Sequence, residues 1–133
     1  MTFRGEYWFL SNMYPCKIFM GDYVYPCAES AFQAAKVKDP ETRKFFSTLN
    51  GKDAKRFGRQ VKLREDWEQI KDNVMLEVLK AKFLQNPELL KKLKQVKGVI
   101  REDNTWGDTY WGVCNGKGKN MLGELLMIIR RYE

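Results

Sequence analysis

The chain contains no histidine, so acid–base or nucleophilic chemistry would have to rest on other side chains, with Glu29, Lys36 and Asp108 as candidates. That absence excludes Ser–His–Asp triads, the HExxH zinc site and any histidine general base. Carboxylates, Lys, Tyr, Cys and bound water remain. Glu29 follows Pro26-Cys27-Ala28 at the expected start of a helix, and Lys36 lies two turns further on the same face, so both could address one cavity. An acidic residue is also favoured in a first helical turn by the helix dipole, and Asp is common in turns, so neither position is diagnostic alone.

Asp108 belongs to the run Asp103-Asn-Thr-Trp-Gly-Asp-Thr-Tyr-Trp-Gly-Val-Cys-Asn-Gly-Lys-Gly-Lys-Asn120, which is too irregular for a long helix or strand. Aromatics, carboxylates, amides and lysines gathered on one loop suit a ligand that is part ring, part hydroxyls and part phosphate. Trp111 could stack on such a ring or simply cover the core, and Trp67 has the same two readings. Gly116-Lys-Gly-Lys-Asn120 could cradle phosphate at a helix N-terminus. It is not a Walker A loop: five residues separate Gly112 from Gly118-Lys119, and Asn120 stands where Ser or Thr is required. Lys36, with Arg4, Arg59 or Arg64, could hold phosphate instead, arginine being better shaped for a bidentate contact.

The elements that must position these residues follow from pattern. Lys17 to Tyr25 reads as a β-hairpin turning at Gly21-Asp22. A helix is expected from about Ala28 to before Pro40, a second from about Glu41 to Leu49, and a helical piece after Asn50-Gly51 through Phe57. Trp67, Ile70, Val74, Val78 and Ala81 define one face of a long helix starting at Asp66. Pro87 starts another, Val99-Ile100 could form a short strand, and Leu122, Leu125, Leu126 and Ile129 mark a C-terminal helix. The expected class is α+β: a mostly helical single domain over residues 1–133 with a small antiparallel sheet.

Composition narrows the function. A hydrophobic content of 44% describes a folded chain rather than a disordered one. No apolar run approaches the ~20 residues that cross a bilayer, and no signal peptide opens the chain, so a cytoplasmic protein without membrane contact is expected. Three cysteines without CxxC spacing, and no histidine, argue against a disulfide framework or a zinc site; no metal or cofactor is expected. The net charge of +7 favours phosphorylated or polyanionic partners, although lysine-rich helix faces supply much of it.

In order along the chain, Phe9-Leu-Ser-Asn-Met-Tyr-Pro15, Glu29-Ser-Ala-Phe-Gln33 with Lys36, Gly58-Arg59, Arg64-x-x-Trp67 and Ala81-Lys-Phe83 resemble blocks of the NADAR (YbiA-like) family. Asn104-Thr-Trp-Gly-Asp-Thr-Tyr-Trp-Gly112 and Gly116-Lys-Gly-Lys-Asn-x-Leu-Gly123 continue the resemblance over nearly the whole chain. Two departures stand out: Ser30 occupies a position where many relatives carry His, and Gln95-Val-Lys-Gly98 replaces a frequent Thr-Gly turn. The resemblance implies an N-glycosidase that hydrolyses a ribosyl C1'–N bond. Its substrate would be a phosphoribosylamino-pyrimidine of riboflavin synthesis, with ADP-ribose on guanine bases of nucleic acid as the alternative and a non-catalytic ADP-ribose or NAD module as a third reading. By motif it places Glu29, Trp67, Asp108 and Trp111 in the pocket, and Asn12 and Asn120 join the substrate-binding candidates. Glu29 would stabilise the oxocarbenium-like state and activate water, Asp108 would orient ribose hydroxyls, and an alternative makes Lys36 a Schiff-base nucleophile. Oligomeric state is not assigned.

Overall fold

The β-formers around Gly21-Asp22 fold as an antiparallel hairpin, β1 (Pro15–Met20) and β2 (Tyr23–Cys27), with Ile18 opposite Tyr25 and Phe19 opposite Val24. Gly21 takes φ +59°, the left-handed conformation that glycine adopts without strain. Ile18 and Tyr25 point inward while Phe19 and Val24 face solvent, the alternation a half-covered hairpin requires.

The computed structural model describes residues 1–133. It divides into two units, Asn12–Asn86 on the one hand and Met1–Ser11 with Pro87–Glu133 on the other. The first unit contains the hairpin and four helices: α1 (Ala28–Ala34), α2 (Pro40–Phe46), α3 (Gly51–Gly58) and α4 (Trp67–Gln85). Capping sets two of the starts. Asp39 accepts from Thr42 N, with Pro40 at the first helical position, and Asn50 accepts from Asp53 N. The first helix is shorter than the sequence pattern suggests, ending at Ala34.

Helix α4 covers the hairpin, and its last side chains extend the sheet. Gln85 donates to Phe19 O and accepts from Phe19 N, both at 2.8 Å, and Asn86 donates to Lys17 O. The outer edge of β1 is thus satisfied by amide side chains instead of another strand. The face α4 buries differs from the expected stripe. Trp67 and Val78 are buried as anticipated, but Met75, Leu79, Lys82 and Phe83 complete the face, and Ile70, Val74 and Ala81 lie only partly covered. A pattern reading puts a lysine outside; burying Lys82 turns the helix.

The second unit holds a 3₁₀ segment (Gly5–Leu10), α5 (Pro87–Gln95), a two-residue parallel pair β3 (Asp103–Asn104) with β4 (Val113–Cys114), and α6 (Met121–Arg130). Phe9, Leu10, Leu89, Leu93, Ile100, Leu126 and Ile129 form its core. Arg130 ties α6 to the end of α5 by donating to Val96 O at 2.9 Å. The strand expected at Val99-Ile100 forms at Asp103–Asn104 instead; Ile100 is core and Val99 is exposed. The architecture is α+β, mostly helical with a small antiparallel sheet. No helix is long and apolar enough to cross a membrane.

Candidate active site

Every residue of α1 is buried, Glu29 among them at 9% exposure. A carboxylate so enclosed must be held by donors. Its side chain accepts from Gln33 Nε2 at 2.6 Å, one turn along the helix. Its backbone N–H donates to Asn12 O at 2.9 Å, anchoring the helix start to the segment before the hairpin. Ser30, at the position where relatives often carry His, donates its hydroxyl to Cys27 O at 3.0 Å and so closes the helix start locally.

Lys36 follows the end of α1 and is partly buried. Burial lowers its pKa; Glu29 counters that effect, while the positive charges of Arg59 and Lys55 reinforce it. A fraction of neutral amine is therefore more accessible here than on a solvated lysine. Arg64 is largely committed to structure. Its guanidinium contacts both carboxylate oxygens of Asp66, at 2.7 and 3.2 Å, and its backbone N–H donates to Lys36 O. Arg59 is exposed just after α3. Trp67 is core: it is 5% exposed, and its ring lies 5.2 Å from that of Phe32 on α1. It supports the helix carrying Glu29. Asn12 is also buried, with Nδ2 on Met75 Sδ at 3.5 Å, and its Oδ1 has no hydrogen-bond partner. An open groove of about 580 Å³ runs beside Val37, Lys38, Phe57, Val61 and Arg64; Glu29 is not among its lining residues.

Glycines set how closely α3 approaches. A Cβ at Gly51 would lie 2.4 Å from Met13 Sδ, and one at Gly58 would lie 1.9 Å from Gln33 Oε1. No other residue fits at either end without displacing its neighbour.

In the other unit, the loop expected to bind ligand is tied mainly to itself. Asp108 Oδ1 accepts from both Tyr110 N and Trp111 N, at 3.0 and 2.9 Å, and the Asp108 backbone exchanges hydrogen bonds with the Asn104 amide. Asn120 adopts φ +54° and bridges with its amide, accepting from Glu102 N at 3.0 Å and donating to Ile100 O at 2.9 Å. The first donors of α6 are also occupied: Met121 N and Leu122 N bond to Tyr110 O and Trp111 O. A helix start whose N–H groups already hold loop carbonyls is not an open phosphate cradle. Trp111 is partly exposed and stacks edge-on with Tyr110 at 4.9 Å. Arg4 is exposed and precedes the 3₁₀ segment.

Among the buried polar residues, Gln33, Glu102 and Lys82 were given no role by the pattern reading. Gln33 falls one turn after Glu29, a spacing that signals a possible partner. Glu102 is 8% exposed and accepts from Asn104 Nδ2 at 3.0 Å. A Cβ on Gly112 would lie 1.7 Å from Glu102 Oε1, so that glycine is required by the fold of the loop. Lys82 is fully buried, its ammonium 5.8 Å from the Tyr14 ring and 5.2 Å from the Phe83 ring. Burial pushes its pKa down to about 8, with Cys16 and Cys27 acting in the opposite direction. No local signal separates such a lysine from a surface one.

The chain has well-defined relatives. The NADAR domain family matches residues 2–132. The N-glycosidase YbiA of Shigella boydii serotype 4 is 37% identical over 129 residues, spanning 94% of this chain and 81% of that protein. The Escherichia coli K12 protein of the same name is 36% identical over the same coverage. The riboflavin biosynthesis protein VVA0006 of Vibrio vulnificus is 32% identical over 92% of this chain, which corresponds to 34% of that longer protein. The NMR structure of E. coli YbiA is similar at a TM-score of 0.84 and 36% identity, covering 98% of this chain and 82% of that one. With the family matched almost end to end and relatives this similar in both sequence and structure, the chain belongs to the NADAR domain family.

Proposed function

We propose that this protein is an N-glycosidase that hydrolyses the ribosyl C1'–N bond of a phosphoribosylamino-pyrimidine, releasing ribose 5-phosphate. Relatives named N-glycosidase and riboflavin biosynthesis protein support the reaction class and point to that substrate. The match over residues 2–132 supports treating both units as one catalytic domain. The observation that carries the reading is Glu29: a buried carboxylate anchored by Asn12 O at its backbone and by Gln33 at its side chain.

Cleavage of the bond builds positive charge on C1' and the ring oxygen. A fixed carboxylate in a poorly hydrated site stabilises that charge without reorganising. Water bonds to C1' as the C1'–N electron pair departs with nitrogen; Glu29 takes the water proton, and the departing nitrogen is protonated from solvent to give the free amine, Glu29 returning its proton to solvent afterwards. Lys36 and Arg59 supply positive charge for the phosphate. Trp67 acts from the core by supporting α1, and Trp111 is the candidate ring for stacking on the base. Asp108 acts through the loop it shapes, its Oδ1 engaged by two backbone amides. The lowered pKa of Lys36 keeps open a route in which its amine forms a Schiff base with the opened sugar, which borohydride would trap during turnover.

The test is product release. The protein is incubated with phosphoribosylamino-pyrimidine and, separately, with ADP-ribosylated DNA. Ribose 5-phosphate from the first supports the proposal. ADP-ribose from the second moves the substrate to modified nucleic acid, the reading that the +7 charge favours. Binding without release from either identifies a binding module.

A further inference from the structure

We infer that Gln33 is a positioning residue for Glu29, and that Gly58 is glycine so that the Gln33 amide can be clamped in place. This rests on the assignment of Glu29 as the catalytic carboxylate. Gln33 is 5% exposed, and its Nε2 donates to Glu29 Oε2 at 2.6 Å. The other end of the same amide, Oε1, is buried without a hydrogen-bond partner. An unmatched buried acceptor is unfavourable, and an apolar side chain of similar size would avoid it. The donor toward Glu29 is what an apolar replacement would lose.

Gly58 supplies the second observation. It closes α3 and does not adopt a left-handed φ, so its backbone does not call for glycine. Alanine would be the better helix former there. What excludes a side chain is proximity: a Cβ would lie 1.9 Å from Gln33 Oε1 and 2.7 Å from Gln33 Cδ. Both atoms belong to the amide itself, so a methyl group would push it away from its present seat. The amide thus lies between α3 and the carboxylate, and can hold Glu29 in one rotamer. The charges coupled to this region are Lys36 with Lys55 and Arg59 of α3 and its end.

The experiment is a double-mutant cycle on the full chain, with turnover of phosphoribosylamino-pyrimidine as readout. Gln33→Met and Gly58→Ala are each expected to lower kcat about tenfold or more through misplacement of Glu29. KM is expected to stay within about twofold. Because the methyl acts through the amide, Gly58→Ala should cause no further loss in a Gln33→Ala background. An equal loss in both backgrounds, or wild-type kcat in Gln33→Met, overturns the inference. Gln33→Met keeps an unbranched, flexible side chain of similar length, so it remains informative if Gly58→Ala fails to fold. Should Glu29→Gln turn over like wild type, the catalytic assignment itself fails; Glu29→Gln inactive beside a fully active Gln33→Met fails only this inference. Carboxyl-carbon NMR reads the same contact without substrate: the Glu29 carboxyl resonance should move in Gln33→Met, and an unchanged resonance counts against the positioning role.

Discussion

In the unit that carries Glu29 two buried polar atoms lack a partner, whereas in the Asp103–Asn120 loop the polar side chains close on one another. Asn12 Oδ1 and Gln33 Oε1 both lie buried and unmatched in the unit that carries Glu29. In the other unit, Asn104, Asp108 and Asn120 join Glu102 in reciprocal contacts that use the amides and backbone groups of the loop. Buried polar atoms are normally satisfied, because each orphan costs about 1–3 kcal/mol. A network closed on itself is scaffold. One with an unmatched acceptor beside a carboxylate needs a different reason to persist, and under the proposed function that reason is catalysis. The loop that looked richest in ligand-binding residues is therefore the more architectural of the two regions.

The largest effect expected is on catalysis. Glu29→Gln keeps shape and removes charge, and should lower turnover about 10³-fold, roughly 4 kcal/mol of transition-state stabilisation, in the ribose 5-phosphate assay. Wild-type turnover would erase the distinction between the regions. Next is the scaffold: Asn120→Ala strands Glu102 N and Ile100 O and places alanine at φ +54°. A loss of roughly 3 kcal/mol in urea unfolding is expected. A loss below about 1 kcal/mol would mean the loop does not depend on its own network.

Lys82 tests whether buried charge in the Glu29 unit burdens the fold. Its pKa of about 8 in the folded protein lies below the ordinary 10.5, so the unfolded chain binds more protons between these values. Unfolding free energy should accordingly rise with pH across that window, by about 3 kcal/mol from this group. Lys82→Met should abolish the rise in pH-dependent unfolding; an unchanged slope would assign it to other groups. The smallest effect is at Trp111, partly exposed on its loop. Trp111→Ala should weaken substrate affinity by about 1 kcal/mol, read as KM, while leaving the melting temperature near wild type. A large fall in melting temperature would make Trp111 another member of the scaffold.

Much of this was readable along the chain, for reasons that are local. Gly21-Asp22 between β-forming arms specifies a hairpin wherever it occurs, and Pro40, Asn50 and Pro87 act within one helical turn. Glu29 stood out because it sits at an expected helix start within a block that resembles the family. Trp67 and Asn120 were harder. Both look like ligand-binding residues when read by type, and the structure shows one against Phe32 in the core and the other bridging Ile100 with Glu102. The same chemical groups, a ring and an amide, serve packing or recognition according to what they face.

By itself, then, the sequence determined the helices, the hairpin, the family and the inventory of reactive groups, since propensity, capping and motif order act over a few residues. Only the tertiary structure decided which groups are matched. That Gln33 braces Glu29 against a glycine of α3, that Lys82 turns a helix inward, and that α6 begins on loop carbonyls all depend on segments brought together from distant positions. Desolvation and close packing, which decide whether a polar group is an asset or a burden, exist only once those segments meet.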